Sequence, residues 1–280
     1  MAVVSIAVQK GGSGKTTTAV NLAAAFHRLG KKVLLLDADP QCNLTQALGI
    51  SEETENNLYT EFKKEIIGKK SDLRSAIVTT RSGLDLIPSS IDLALTEQEL
   101  VGKFNREETL RNKMLKPLVN EYDFIFIDCP PSFGLITVNA LVASDHLIIP
   151  LQAEFLPLKG VYSFLRLLEM MKDIGNMNLS VAGFVLTRYS QHKKLNQEIK
   201  SLLENEFRIG VFGSFIRTDI RLAVAQKHGL DIFSYAPASN GAKDYALLAK
   251  ELLSKLEPAD AGPGIHSILK DHPDTIGISQ

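Results

Sequence analysis

Cysteine is scarce: the 280-residue chain has two, Cys42 and Cys129, in neither a metal-ligand nor a CxxC spacing. That argues against a disulfide scaffold and fits a reducing cytoplasm. Missing too is any apolar run of 18 residues, so no segment has the length to cross a bilayer as a helix. The residues from Met1 to Val8 lack a basic leader and a small-residue cleavage site, and read as a first strand rather than a secretion signal. No internal repeat is visible. Net charge is close to absent, at −1, so the total points to no partner class, although its distribution is uneven. Apolar residues, by contrast, make up 45% of the chain, enough for a sizeable core.

Apolar runs of strand length alternate with longer helical patterns. Strands are expected at Val3–Val8, Lys32–Leu36, Leu84–Pro88, Phe124–Asp128, His146–Pro150 and Val181–Leu186, with shorter ones near Val211 and at Ile232–Tyr235. Helices are expected after the first strand through Phe26, with Gly30 as the terminator, and at Gly160–Ile174, Leu195–Phe207 and Asn240–Leu256. Runs apolar throughout imply a sheet covered on both faces, and the alternation implies parallel βαβ units. The expected fold is α/β, a mostly parallel sheet with helices on both faces, in one domain over residues 1–256. Residues 51–82 are polar with weak helical signals and read as a decoration of the sheet edge. Residues 257–280, rich in proline and glycine, read as a loose tail.

The segment from Gln9 to Thr17 follows a strand and opens a helix, which is the setting a phosphate loop requires. Small residues at Gly11, Gly12, Ser13 and Gly14 let backbone N–H groups turn inward around phosphate oxygens, and the helix N-terminus adds its dipole. Lys15 then reaches the outer phosphates, and the Thr16 hydroxyl binds Mg²⁺. Downstream, Phe124–Asp128 is an apolar strand ending in an acid, a Walker B pattern. A carboxylate buried there is costly without an opposing charge, which Mg²⁺ supplies. Asp37 and Asp39 stand at another strand's C-terminal end, where ligands of open α/β sheets bind, and residues two apart on an extended segment point the same way. Either is also a candidate turn or cap carboxylate.

The pattern from Lys10 to Thr17, with a lysine opening the loop, is similar to the deviant Walker A class, and the chain resembles the ParA/Soj partition ATPases over nearly all of residues 1–256. Thr137–Asp145, Ile149–Glu154 and Tyr235–Ala242 also look like that branch. The resemblance implies a P-loop fold, slow partner-stimulated ATP hydrolysis with ATP and Mg²⁺, and a homodimer closed around nucleotide. In it Lys10 acts in trans on the partner's nucleotide, and Thr17 binds nucleotide with the rest of the loop. It further implies that Asp39 positions the attacking water, Asp37 belongs to the magnesium shell with Asp128, and Pro130–Gly134 forms a γ-phosphate-sensing switch. Arg188, Pro237 and Ala238 would approach the adenine, although Pro237 also reads as a turn former. Ser13 stands where most members carry valine.

In the resemblance, the ATP-bound dimer holds DNA nonspecifically through C-terminal basic residues and is released by a ParB-like adaptor, which implies a cytoplasmic, nucleoid-associated protein. Residues 188–228 carry eight Lys/Arg against four acids, and Lys193, Lys194, Arg217 and Arg221 are the candidates. The alternative for these lysines is the solvated face of a helix whose apolar side is Leu195, Ile199, Leu202, Leu203 and Phe207. The start of the chain at its first strand favours the short, Soj-like type. A protein cargo, such as a microcompartment or receptor array, remains an alternative to a chromosome or plasmid. A MinD-like membrane switch needs an amphipathic C-terminal helix, and Ile265–Lys270 between Pro263 and Pro273 is too short, so no stable membrane association is expected. The missing cysteine ligands count against a cluster carrier, and Lys10 against an ordinary ligase.

Overall fold

Strands that are apolar at every position need cover on both faces, and the alternation of side chains along each strand sends successive residues to opposite layers. The structure, a computed structural model, describes residues 1–153, 158–171 and 178–256. β1 (Ala2–Ile6), β2 (Val33–Asp37), β3 (Val78–Thr79), β4 (Asp85–Ile87), β5 (Phe124–Asp128), β6 (His146–Gln152) and β7 (Ser180–Thr187) form one sheet in the order β3-β4-β2-β5-β1-β6-β7. Neighbours are parallel except β3 and β4, which pair antiparallel.

On one face, Leu34, Leu36, Ile125, Ile127 and Ile149 pack against α3 (Leu58–Ile66), α5 (Leu135–Val142), α6 (Leu158–Met170) and α7 (Lys194–Glu206). On the other, Val4, Ile6, Leu35, Phe126 and Ile148 pack against α1 (Lys15–Arg28), α2 (Asn43–Ala47), α8 (Ile220–Lys227), α9 (Ile232–Tyr235) and α10 (Asn240–Leu256). The short α4 (Thr96–Glu99) and a π-helical segment, Thr109–Leu115, lie between β4 and β5. Phe26 sits edge-on to Phe124 and Phe126, with ring centroids 4.8 and 5.2 Å away, which locks α1 onto β5.

Several expectations change in detail. Residues 51–82 supply core as well as surface: Leu58 and Phe62 are fully buried, and Val78–Thr79 adds an edge strand too short to show as an alternating pattern. Ile232–Tyr235 is a helical turn rather than a strand, because Asp231 Oδ1 accepts from the amides of Phe233 (2.8 Å) and Ser234 (3.0 Å) and so caps it. The run near Val211 stops at isolated parallel bridges to β7, Phe184 with Val211 and Thr187 with Ile216. Gly30 ends α1 as read, in the left-handed region at φ +80° with its amide on His27 O. Residues 172–174 of the expected helix, Glu154 and the tail 257–280 lie outside the described residues.

Candidate nucleotide site

The site gathers at the C-terminal ends of β1, β2 and β5. Leaving β1, the chain turns through Gly12 (φ +73°) and Gly14 (φ +95°), a conformation glycine adopts without cost. A Cβ on Gly14 would also come within 3.4 Å of Thr187 Cγ2. The turn is clasped from β6 and β7. Thr187 Oγ1 donates to Ser13 O at 2.9 Å, and Gln152 Nε2 donates to Gly12 O. Ser13 is buried and its hydroxyl has no partner among the described residues. α1 starts at once, at Lys15, so the amides of its first turn have no carbonyl within the helix and point into the turn's concavity.

Lys15 is only 7% exposed, and its Nζ donates to Lys10 O at 3.3 Å. One carbonyl is meagre solvation for a buried ammonium, and an anion in the turn would complete it. Thr16 Oγ1 donates to Asp128 Oδ2 at 2.7 Å. The other oxygen, Asp128 Oδ1, is buried with no partner among the described residues. Burial, and then the neighbouring Asp37 charge, holds the Asp128 carboxyl well above the usual carboxylate range. A hydroxyl and a half-satisfied carboxylate at the foot of an anion cradle fit a Mg²⁺ ion that keeps its remaining ligands as water and phosphate.

Asp37 pairs in register with Asp128 across β2 and β5. Its oxygens, however, face protein donors. Oδ2 accepts from the amide (2.8 Å) and hydroxyl (2.6 Å) of Thr45, and Oδ1 from the Asp39 amide at 3.1 Å. Burial pushes its carboxyl up to about 6 against those hydrogen bonds. Asp37 therefore ties β2 to α2 and fixes the backbone that carries Asp39. The Asp39 carboxylate is buried and accepts from the Gln41 amide at 2.9 Å.

Beyond Thr187 the chain enters an open cleft of about 760 Å³ lined by Arg188, Tyr189, Arg217, Asn240 and Asp244 among others. Arg188 holds a left-handed backbone at φ +52°. Pro237 and Ala238 are exposed in the turn before α10, and Asn240 rather than either of them lines the cleft. The basic candidates are engaged. Arg217 makes a two-pronged pair with Asp244 (Nη2 to Oδ1, 2.5 Å), and Arg221 does the same with Asp219 (2.8 and 2.9 Å). Lys194 lies 3.7 Å from Glu198, and Lys193 is exposed at the start of α7.

Three residues that structure the site carry no signal in the linear sequence: Thr45, Thr187 and Glu97. Glu97 Oε2 and Oε1 accept from the amides of Leu135 (2.6 Å) and Ile136 (3.1 Å), capping α5 where the segment after Asp128 ends. Their partners lie 8, 174 and 38 residues away, so only the fold joins them.

Residues 1–181 match a family described as an AAA domain. The chain is 40% identical over 252 residues to the sporulation initiation inhibitor protein Soj of Bacillus subtilis, covering 89% of this chain and 97% of that one. It is 38% identical over 248 residues to the chromosome-partitioning ATPase Soj of Treponema pallidum, covering 88% and 95%. Among solved structures, the cobyrinic acid a,c-diamide synthase of Mycobacterium smegmatis with bound ATP analogue and magnesium matches with a TM-score of 0.82 at 30% identity, covering 94% and 98%.

Proposed function

The chain belongs to the ParA/Soj family of ATPases, and on that premise we propose that it is a partition ATPase that dimerises on ATP and lets go on hydrolysis. The observation that carries this reading is the orphaned Asp128 Oδ1 beside the Thr16–Asp128 hydrogen bond, at the mouth of a turn whose lysine is buried. The amides of Gly11–Thr17 and the Lys15 ammonium hold the phosphates. Mg²⁺, held by Thr16 and Asp128, supplies positive charge against the outer phosphate oxygens. Asp39 orients the attacking water from the backbone that Asp37 fixes. Lys10 reaches the nucleotide of a second copy and neutralises charge as the γ-phosphoryl group departs.

The ATP dimer holds DNA without sequence preference, and a ParB-like adaptor stimulates hydrolysis, which places the protein on the nucleoid. The relatives named for chromosome partitioning favour a DNA cargo over a protein one. The amide-forming activity named for the mycobacterial neighbour is the competing chemistry, and it predicts ATP consumption only with an acid and an amine present.

Asp39→Ala is the test. ATP is expected to convert it into a dimer that persists in sedimentation analysis, with turnover lost and no acceptor substrate able to restore it. A variant that stays monomeric in saturating ATP, or hydrolyses at the parent rate, removes the role given to Asp39 and the dimer switch with it.

A further inference from the structure

The first-turn amides of a helix need acceptors, and α5 has none of its own, because its N-cap residue, Gly134, carries no side chain. Glu97 provides them from α4. One oxygen accepts from Leu135 at 2.6 Å and the other from Ile136 at 3.1 Å. With both carboxylate oxygens on consecutive amides, the start of α5 is fixed in position and in rotation. A second tie lies one turn further along. Asn139 Oδ1 accepts from the Leu110 amide at 3.0 Å, and its Nδ2 donates to Arg106 O at 2.9 Å. Residues 97–110 therefore grip α5 at two levels.

What α5 holds in turn is the link back to Asp128, which consists only of residues 129–134. At its near end the Cys129 amide donates to Ile6 O at 3.2 Å, continuing the sheet. At its far end Thr137 Oγ1 of α5 donates to Ser132 O at 2.7 Å. Pro130 and Pro131 restrict the backbone between them, so a displacement of α5 is passed to the strand-end acid rather than absorbed. The segment that carries Glu97 is anchored on its other side as well. The Ser89 amide donates to Thr45 Oγ1 at 3.0 Å, and that hydroxyl donates to Asp37. Glu99 pairs with Lys63 of α3. Residues 89–99 thus bridge the ends of β2 and β5, where the acids of the site stand, and Glu97 is the contact on the β5 side.

We infer that Glu97 is a positioning residue for ATP hydrolysis: by holding the start of α5 it sets where the 129–134 link places the Asp128 carboxylate toward Mg²⁺. The inference rests on the reading of Asp128 as a magnesium ligand. Groups that orient metal ligands change affinity or activity by about 10–100-fold when removed, whereas an ordinary helix cap changes only the stability of the fold.

The experiment measures steady-state ATP turnover by the full chain across a Mg²⁺ titration, and amide hydrogen exchange in the nucleotide-free protein. Glu97→Ala removes both acceptors. Glu97→Gln keeps the length and one oxygen, and carries the test if the alanine variant does not fold. In Glu97→Ala, kcat is expected to fall at least about tenfold and the Mg²⁺ concentration for half-maximal turnover to rise by a similar factor, with KM for ATP within about twofold of the parent. Glu97→Gln should lie between the two. Exchange should quicken across 129–134 as well as at Leu135 and Ile136. Glu251→Ala is the matched control, since Glu251 also sets its two oxygens on consecutive amides, those of Gly213 and Ser214, each at 2.8 Å. It should keep the parent's kcat and Mg²⁺ dependence. Parental kcat and Mg²⁺ dependence in both Glu97 variants, with quicker exchange confined to 135 and 136, would make Glu97 a cap alone and overturn the inference. An equal fall in Glu251→Ala overturns it too, by tracing the loss to stability. Parent turnover that needs no Mg²⁺ removes the reading of Asp128 itself, and the role of Glu97 with it.

Discussion

Asp37 shows how one buried carboxylate is held, and at what pH it matters. It has no solvent contact, and burial raises its carboxyl from 3.8 to about 6. Between those two values the folded chain binds more protons at this site than the unfolded chain does, so stability falls as pH rises. The stabilising contribution is complete below pH about 4 and is lost as pH rises through about 6. In the nucleotide-free protein, the melting advantage of the parent over Asp37→Asn is therefore expected to shrink steadily across that window. A difference that stays flat from pH 4 to 7 would show that Asp37 does not titrate there. At this scale the sequence is legible where chemistry is contiguous: Gly11 to Thr17 read correctly as a turn opening a helix, and Asp128 as a strand-end acid. That Asp37 faces Thr45 does not follow from spacing, because it depends on where α2 lands.

The elements depend on one another's termini. Gly134 has φ −99° and ψ −173°, a backbone any residue adopts, so conformation is no reason for a glycine there. The obstacle is Glu97. A Cβ at position 134 would overlap Glu97 Oε1, and the three nearest atoms all belong to that carboxyl group. Gly134→Ala should displace the carboxylate and cost about 1–2 kcal/mol, as losing a charged cap does. Glu97→Ala should cost about as much. Combined, the two should cost little more than either alone, a coupling of about 1 kcal/mol in urea unfolding. Additive losses would mean that the carboxylate does not occupy that space. Element type was readable for the long patterns, such as Asn240–Leu256, which matches α10. It was unreadable for Ile232–Tyr235, where four residues are too few to show a period and the Asp231 cap decided the outcome.

For the molecule as a whole, the parallel order of strands puts every acid of the site at one end of the sheet and leaves Lys10 on the rim of the same end. Lys10 is half-buried, and its carbonyl accepts from Lys15. If its ammonium serves a second copy, Lys10→Ala should keep nucleotide affinity in equilibrium dialysis but lose the ATP-dependent mass increase in light scattering. A variant that still doubles in mass would confine Lys10 to its own subunit. The sheet and its two covered faces followed from the uniformly apolar runs. The approach of residues 58–66 to residues 109–115 did not, because nothing in either stretch alone announces that α3 packs against the π-helical segment. Thr187 and Gln152 clasp the phosphate turn from strands that come much later in the chain. During synthesis, then, the turn emerges first but gains its finished shape only once β7 has left the ribosome. A nascent chain that stops short of Thr187 carries the motif without the brace, so the turn is finished only after about two-thirds of the protein has been made.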